Sequence, residues 1–125
     1  MDSWKPDDAT AIISAEEVQV RTRRPDGTLG RPTTIWVVGE GDRIFIRSTN
    51  GRTAAWFRGA SATGSGQVVA RGTAYDVSFI EADDDDLAAV DAAYRAKYGR
   101  YASIVDHLAE VGPRAATLQV HPARP

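Results

Sequence analysis

A chain of 125 residues, 42% hydrophobic and 26% charged, has the size and composition of one compact domain. Fifteen lysines and arginines against seventeen aspartates and glutamates leave a formal charge of -2, so bulk electrostatics offers no general attraction to nucleic acid or acidic membranes. The absence of cysteine excludes disulfides, zinc-thiolate sites, thiol nucleophiles and iron-sulfur clusters. Uninterrupted apolar runs such as Ile35 to Val38 fall far short of the roughly 20 residues that cross a bilayer. Met1 to Asp8 lacks the basic-then-apolar order of a signal peptide, so a cytoplasmic protein is expected.

In chain order, Asp7 to Ala15 carries only a weak helical signal. Val18, Val20 and Thr22 then alternate with Gln19, Arg21 and Arg23 as in a strand with one wet face. Pro25-Asp26-Gly27 predicts a turn. Thr33 to Val38 reads as a single strand apolar on both faces, and Gly39-Glu40-Gly41-Asp42 as a hairpin loop returning into Arg43 to Ser48. Ala54 to Arg58 suggests a helical turn, and Gly59 with Gly64-Ser65-Gly66 a loose tether. Gln67 to Arg71 and Thr73 to Glu81 form an antiparallel pair about Gly72. Leu87, Val90, Tyr94 and Tyr98 lie at helical spacing, with Asp83 to Asp86 before the helix start and Arg95 and Lys97 suited to the dipole at its end. Ile104, Val105, Leu108 and Val111 predict a second helix stopped by Gly112-Pro113, and Ala116, Leu118 and Val120 a last strand. Six short strands with two helices near the carboxyl end favour a small antiparallel barrel spanning residues 1–125 as one domain.

Most chemical motifs reduce to structural readings. Asp83 to Asp86 fits the amides and dipole of the following helix better than a cation. His107 and His121 sit on different elements and make no metal site, and Ser103 with Asp106 and His107 lacks an oxyanion element. Gly39-Glu40-Gly41 has no third glycine and precedes a strand, so it is not a dinucleotide fingerprint. Arg47-Ser48-Thr49-Asn50-Gly51-Arg52 is more informative. It places two guanidinium groups, two hydroxyls and a flexible backbone directly after a buried strand, which are phosphate-binding tools as well as the makings of a polar hairpin end. Trp56-Phe57 follows, either as core or as a wall for a planar ring.

A wider set of residues carries a resemblance. Thr34-Ile35-Trp36-Val37-Val38, Ile44-Phe45-Ile46-Arg47-Ser48 with Gly51, Trp56-Phe57-Arg58, Ala93-Tyr94-Arg95-Ala96-Lys97-Tyr98-Gly99 and Ala116-Thr117-Leu118 with Pro122 together resemble a family of short bacterial proteins. That family looks like a branch of the FMN-binding split barrels, the superfamily of pyridoxamine-phosphate oxidases and deazaflavin-dependent nitroreductases. The glycine-arginine-lysine segment of those nitroreductases has only a partial counterpart in Gly30-Arg31-Pro32. The resemblance implies a six-stranded split barrel, a homodimer, and a cofactor, FMN or a deazaflavin coenzyme, in a groove between subunits. Arg47, Ser48, Thr49, Gly51 and Arg52 would hold its phosphate and Trp56 would wall its ring, with Arg58, Lys97 and Tyr98 as further groove candidates. The chemistry on a small-molecule substrate would then be the cofactor's, so no acid-base dyad or nucleophile need stand out. A cofactor-free binder of a small anionic or aromatic ligand, or a dimer with a vestigial groove, is the alternative. No metal, nucleic acid or membrane enters either reading.

Overall fold

The computed structural model describes residues 3–123. Its centre is one antiparallel sheet of seven strands in the order β2-β1-β5-β6-β7-β4-β3. These are β1 (Val18–Thr22), β2 (Thr33–Ile35), β3 (Val38–Glu40), β4 (Arg43–Arg47), β5 (Ser65–Ala70), β6 (Thr73–Glu81) and β7 (Thr117–Pro122). The sheet is mainly β split barrel in class, with seven strands where the sequence predicts six.

The extra strand has a clear origin. Thr33 to Val38 is not one strand: Ile35 pairs with Val18 of β1 at one end of the sheet, whereas Val38 pairs with Phe45 of β4 at the other. Only Trp36 and Val37 lie between, so the curled sheet brings its two ends together there and this short crossing nearly closes the barrel. Both faces of the segment are apolar because alternate residues pack on different layers, Ile35 and Val37 on the barrel interior and Trp36 and Val38 on the layer beneath α3 and α4. Val37 has left both ladders, and its backbone groups need other partners when buried. The Tyr98 hydroxyl accepts from Val37 N–H at 3.2 Å, and the Lys97 ammonium donates to Val37 O at 2.7 Å.

Among the described residues five α-helices surround the sheet: α1 (Pro6–Ile13), α2 (Ala55–Thr63), α3 (Leu87–Tyr98), α4 (Ala102–Leu108) and α5 (Val111–Arg114). The first is more definite than its sequence suggests. Pro6 opens it, Asp7 and Asp8 occupy its first turn, and Ile12 is wholly buried. Gly59 and Gly64-Ser65-Gly66 are not a tether. Gly59 lies inside α2, where a Cβ would collide with Thr22 of β1, and Gly64 ends the helix at φ +66°. Ser65 and Gly66 already belong to β5. Gly112-Pro113 likewise falls within α5 instead of stopping a helix, since a proline in the first turn gives up no needed donor.

The barrel interior is aliphatic, with Ile12, Val18, Val20, Val37, Ile44, Ile46, Phe57, Val68, Leu118 and Val120 among its buried members. On the other face, α3 and α4 cover Val38 and Phe45 with Val90, Tyr94, Tyr98, Val105 and Leu108. The predicted stripe on α3 is therefore real. Trp36 stacks flat on Tyr98 at 4.0 Å between ring centres, so the second apolar face of the crossing is covered largely within the chain and is no longer a reason for a dimer. The acids before α3 make no side-chain caps; Asp86 instead takes both guanidinium nitrogens of Arg43 at 3.0 Å. No helix is long and apolar enough to cross a membrane among the described residues.

Candidate functional site

Strand β4 ends at Arg47 and the chain turns at once. Ser48 N–H donates to Ala116 O, Gly51 N–H donates back to Ser48 O, and Gly51 takes φ +70°, which disfavours any side chain there. The turn faces a cavity of about 290 Å³, at the lower edge of the size range of small-molecule sites. The cavity is lined by Thr33, Thr34, Ile35 and Trp36, by Arg47, Ser48, Thr49 and Asn50 of the turn, by Ala54 and Trp56, and by Ile104 with Leu108 of α4.

Arg47 is the unusual residue. It is 2% exposed, and a buried guanidinium is expensive unless each donor is met. Its Nε donates to Thr117 Oγ1 at 2.7 Å, and Nη1 donates to Asp91 Oδ1 at 2.5 Å and to Leu108 O at 3.1 Å. Asp91 also lies 3.0 Å from Arg114 Nε, so two cations share one carboxylate and a net positive charge remains. Nη2 has no partner, and neither does the buried hydroxyl of Ser48. Both atoms are closed to solvent, although their residues line the cavity, and burial without a partner costs about 1–3 kcal/mol each.

Of the residues singled out in the sequence, the structure gathers Arg47, Ser48, Thr49 and Trp56 around this cavity. Gly51 shapes the turn without lining it. Arg52 points elsewhere: it pairs with Glu81, donates to Ala115 O at 2.8 Å and lies over the Phe57 ring. The Glu81 carboxylate is held below its ordinary range by that guanidinium. Arg58 borders a shallow depression with Arg52 and Phe57. Asp91, Arg114, Thr33, Thr34 and Ile104 escaped the sequence reading because they come from distant elements; only the spacing of Asp91 on the helix, one residue beyond the buried Val90, hinted at a partner.

A family model described as "Uncharacterized protein conserved in bacteria (DUF2255)" matches residues 8–120. The chain belongs to this family. No curated protein matches its sequence. Among solved structures it is similar to HutZ, the heme storage protein from Vibrio cholerae, with 14% identity, TM-score 0.66, and coverage of 97% of this chain and 91% of that one. It is also similar to an F420-H2 dependent reductase, with 15% identity, TM-score 0.63, and coverage of 84% and 93%. A third neighbour is a pyridoxamine 5'-phosphate oxidase-related, FMN binding protein from Nostoc punctiforme, at 13% identity and TM-score 0.51, covering 97% and 82%. At these identities the likeness establishes the split-barrel fold alone.

Neither Lys97 nor Tyr98 lines the cavity; Lys97 borders a separate surface depression with Ile13, Glu16 and Gly39. Lys97 does not serve its own helix end. Its ammonium donates to Ile13 O, Ala15 O and Val37 O at 2.6–2.7 Å, tying α1 to the crossing, and burial pushes its pKa down to about 8 against the opposing charge of Glu16. The Tyr98 hydroxyl donates to Glu16 O at 2.8 Å, and burial raises it to about 12. His107 reaches across from α4 to the cavity loop, with Nε2 2.7 Å from Thr49 O. Among the described residues no cluster of His, Asp and Glu is arranged to hold a metal ion.

Proposed function

We propose that this protein is a flavin- or deazaflavin-binding, oxidoreductase-like split barrel that holds the cofactor phosphate on Arg47 Nη2 and Ser48 Oγ. The observation carrying the reading is that pair of buried, unpartnered donors. Both atoms are closed to solvent here, so a phosphate oxygen in the cavity would satisfy them once the turn at 48–50 shifts to open them, and charge-assisted bonds of this kind are the strong ones. Thr49 supplies a further hydroxyl nearby, while Trp36 and Trp56 provide flat apolar walls for a ring system. Trp36 is already fixed by stacking on Tyr98, so the wall is rigid before any ligand arrives. A bound flavin or deazaflavin would supply hydride or electron transfer to a small-molecule substrate. This chain's residues bind, orient and exclude water, which accords with a cavity lacking an acid-base pair.

The proposal includes a homodimer. The cavity of one chain is small for a whole nucleotide, and its lining includes Ile104, 43% exposed, which a second copy would cover. Sedimentation at micromolar concentration is expected to give twice the chain mass. The same orphaned donors also suit a cofactor-free binder of a small anion, and colour separates the two readings. Titration with FMN or a deazaflavin should give a flavin-like bound spectrum, and Ser48→Ala should weaken binding about tenfold or more without loss of fold. Absence of binding by both cofactors would leave the cofactor-free reading, and binding indifferent to Ser48→Ala would move the phosphate elsewhere.

A further inference from the structure

We infer that His107 is a positioning residue for the anion loop and that it does so best as an imidazolium. This rests on the reading of the cavity as an anion site, but the arrangement itself is visible without a ligand. His107 Nε2 lies 2.7 Å from Thr49 O and Nδ1 lies 3.2 Å from Glu110 Oε1. A carbonyl and a carboxylate are both acceptors only, and a neutral imidazole has one N–H to offer. Only the doubly protonated ring meets both partners at once.

The surroundings leave His107 and Glu110 as the titratable groups concerned. The depression that they border is otherwise lined by Thr49, Asn50, Gly51 and the α5 residues Val111, Gly112 and Pro113. Asp106, the neighbour of His107 on α4, is paired with Arg95 of α3 at 2.9 Å. The Thr49 carbonyl belongs to the peptide between Thr49 and Asn50, the second after Ser48, and Thr49 and Asn50 line the cavity. Grip on that carbonyl therefore sets the loop carrying the Ser48 hydroxyl, and loss of the proton at Nδ1 turns a favourable contact with Glu110 into a lone pair facing a carboxylate. The pair is half-exposed, so Glu110 can swing into water and the effect is graded.

The test has two arms. The Asn50 amide shares a peptide unit with the Thr49 carbonyl, so its NMR shift in the ligand-free protein should follow the titration of the His107 ring, with His121 as the second histidine for reference. In His107→Gln, which keeps a neutral donor, the Asn50 shift should not move with pH. In the second arm, FMN affinity of the wild type relative to His107→Gln should fall about twofold to fivefold between pH 5.5 and 8, the scale of an exposed ion pair. Charging of the FMN phosphate over this range acts on both proteins and cancels in the ratio. His107→Ala should bind FMN about fivefold more weakly than wild type at pH 6, with His107→Gln restoring most of the loss. An Asn50 amide indifferent to His107, or an affinity ratio flat with pH, would overturn the inference. Failure of FMN to bind at every pH would count against the cavity reading instead, and the Asn50 arm would still decide the role of His107.

Discussion

The two faces of the curled sheet are packed by different chemistry. Inside the barrel, the buried residues are aliphatic with Phe57 and Phe79, and none carries a side-chain polar atom. Beneath α3 and α4, two fully buried tyrosines pack beside Arg47 and Lys97, with Asp91 paired to Arg47, and Arg47 Nη2 is left there without a hydrogen-bond partner. An apolar interior closes on itself because any well-packed neighbour suffices. A polar layer must match each donor to an acceptor, and the donors it leaves over mark where a ligand can enter. The cavity lies between the two layers, with Ile35, Ala54 and Trp56 from the first and Trp36 and Leu108 from the second in its lining.

That contrast can be broken by mutation. Tyr94→Ala and Phe57→Ala, one from each layer, should each lower stability by about 3–5 kcal/mol in chemical denaturation, since both open large cavities. Lys97→Met should cost about 1.5–3 kcal/mol at pH 7, because three carbonyls lose a charged donor. Proton linkage adds a pH signature. With its folded pKa near 8 and an ordinary value of 10.5, Lys97 has released its proton in the folded chain while the unfolded chain still holds it. Wild-type stability should therefore rise relative to Lys97→Met as pH goes from 8 to 9.5, below the range where tyrosines ionise. Opposite or absent slope would show that the three carbonyls outweigh burial.

Smaller effects sharpen the same distinction. Tyr94→Phe removes a buried hydroxyl whose one approach to a partner, the Arg47 backbone, falls short of good hydrogen-bond geometry, so it should change stability by no more than about 1 kcal/mol, unlike Tyr94→Ala. A clear loss would mean that the hydroxyl is satisfied in solution. Arg52→Ala breaks a half-exposed ion pair and should change stability by no more than about 1 kcal/mol, leaving FMN affinity within twofold. A tenfold loss of affinity would return Arg52 to the phosphate site.

Periodicity made much of this architecture legible. Alternation exposed the strands, and the α3 stripe of Val90, Tyr94 and Tyr98 was evident because a helix must turn one face inward. The crossing at Trp36 and Val37 was not legible, since a segment shared between two sheet ends and a continuous buried strand have the same apolar pattern. Gly59 and Gly64 read as flexible when their true constraints were a close approach to Thr22 and a helix end. Arg47 and Arg52, five residues apart, illustrate the limit at the site: both were visible as anion ligands in the sequence.

Local chemistry determined that this chain would form short antiparallel strands around an amphipathic helix and that a cation, hydroxyls and a turn would follow β4, because those properties depend on near neighbours. Which arginine would face the cavity depended on partners far away in the chain. Glu81 and Ala115 claim Arg52, whereas Thr117, Asp91 and Leu108 hold only part of Arg47 and leave one nitrogen over. Hydrogen bonds form wherever the fold brings donor and acceptor within about 3 Å, and separations of 44 to 70 residues such as those around Arg47 have no signature along a sequence.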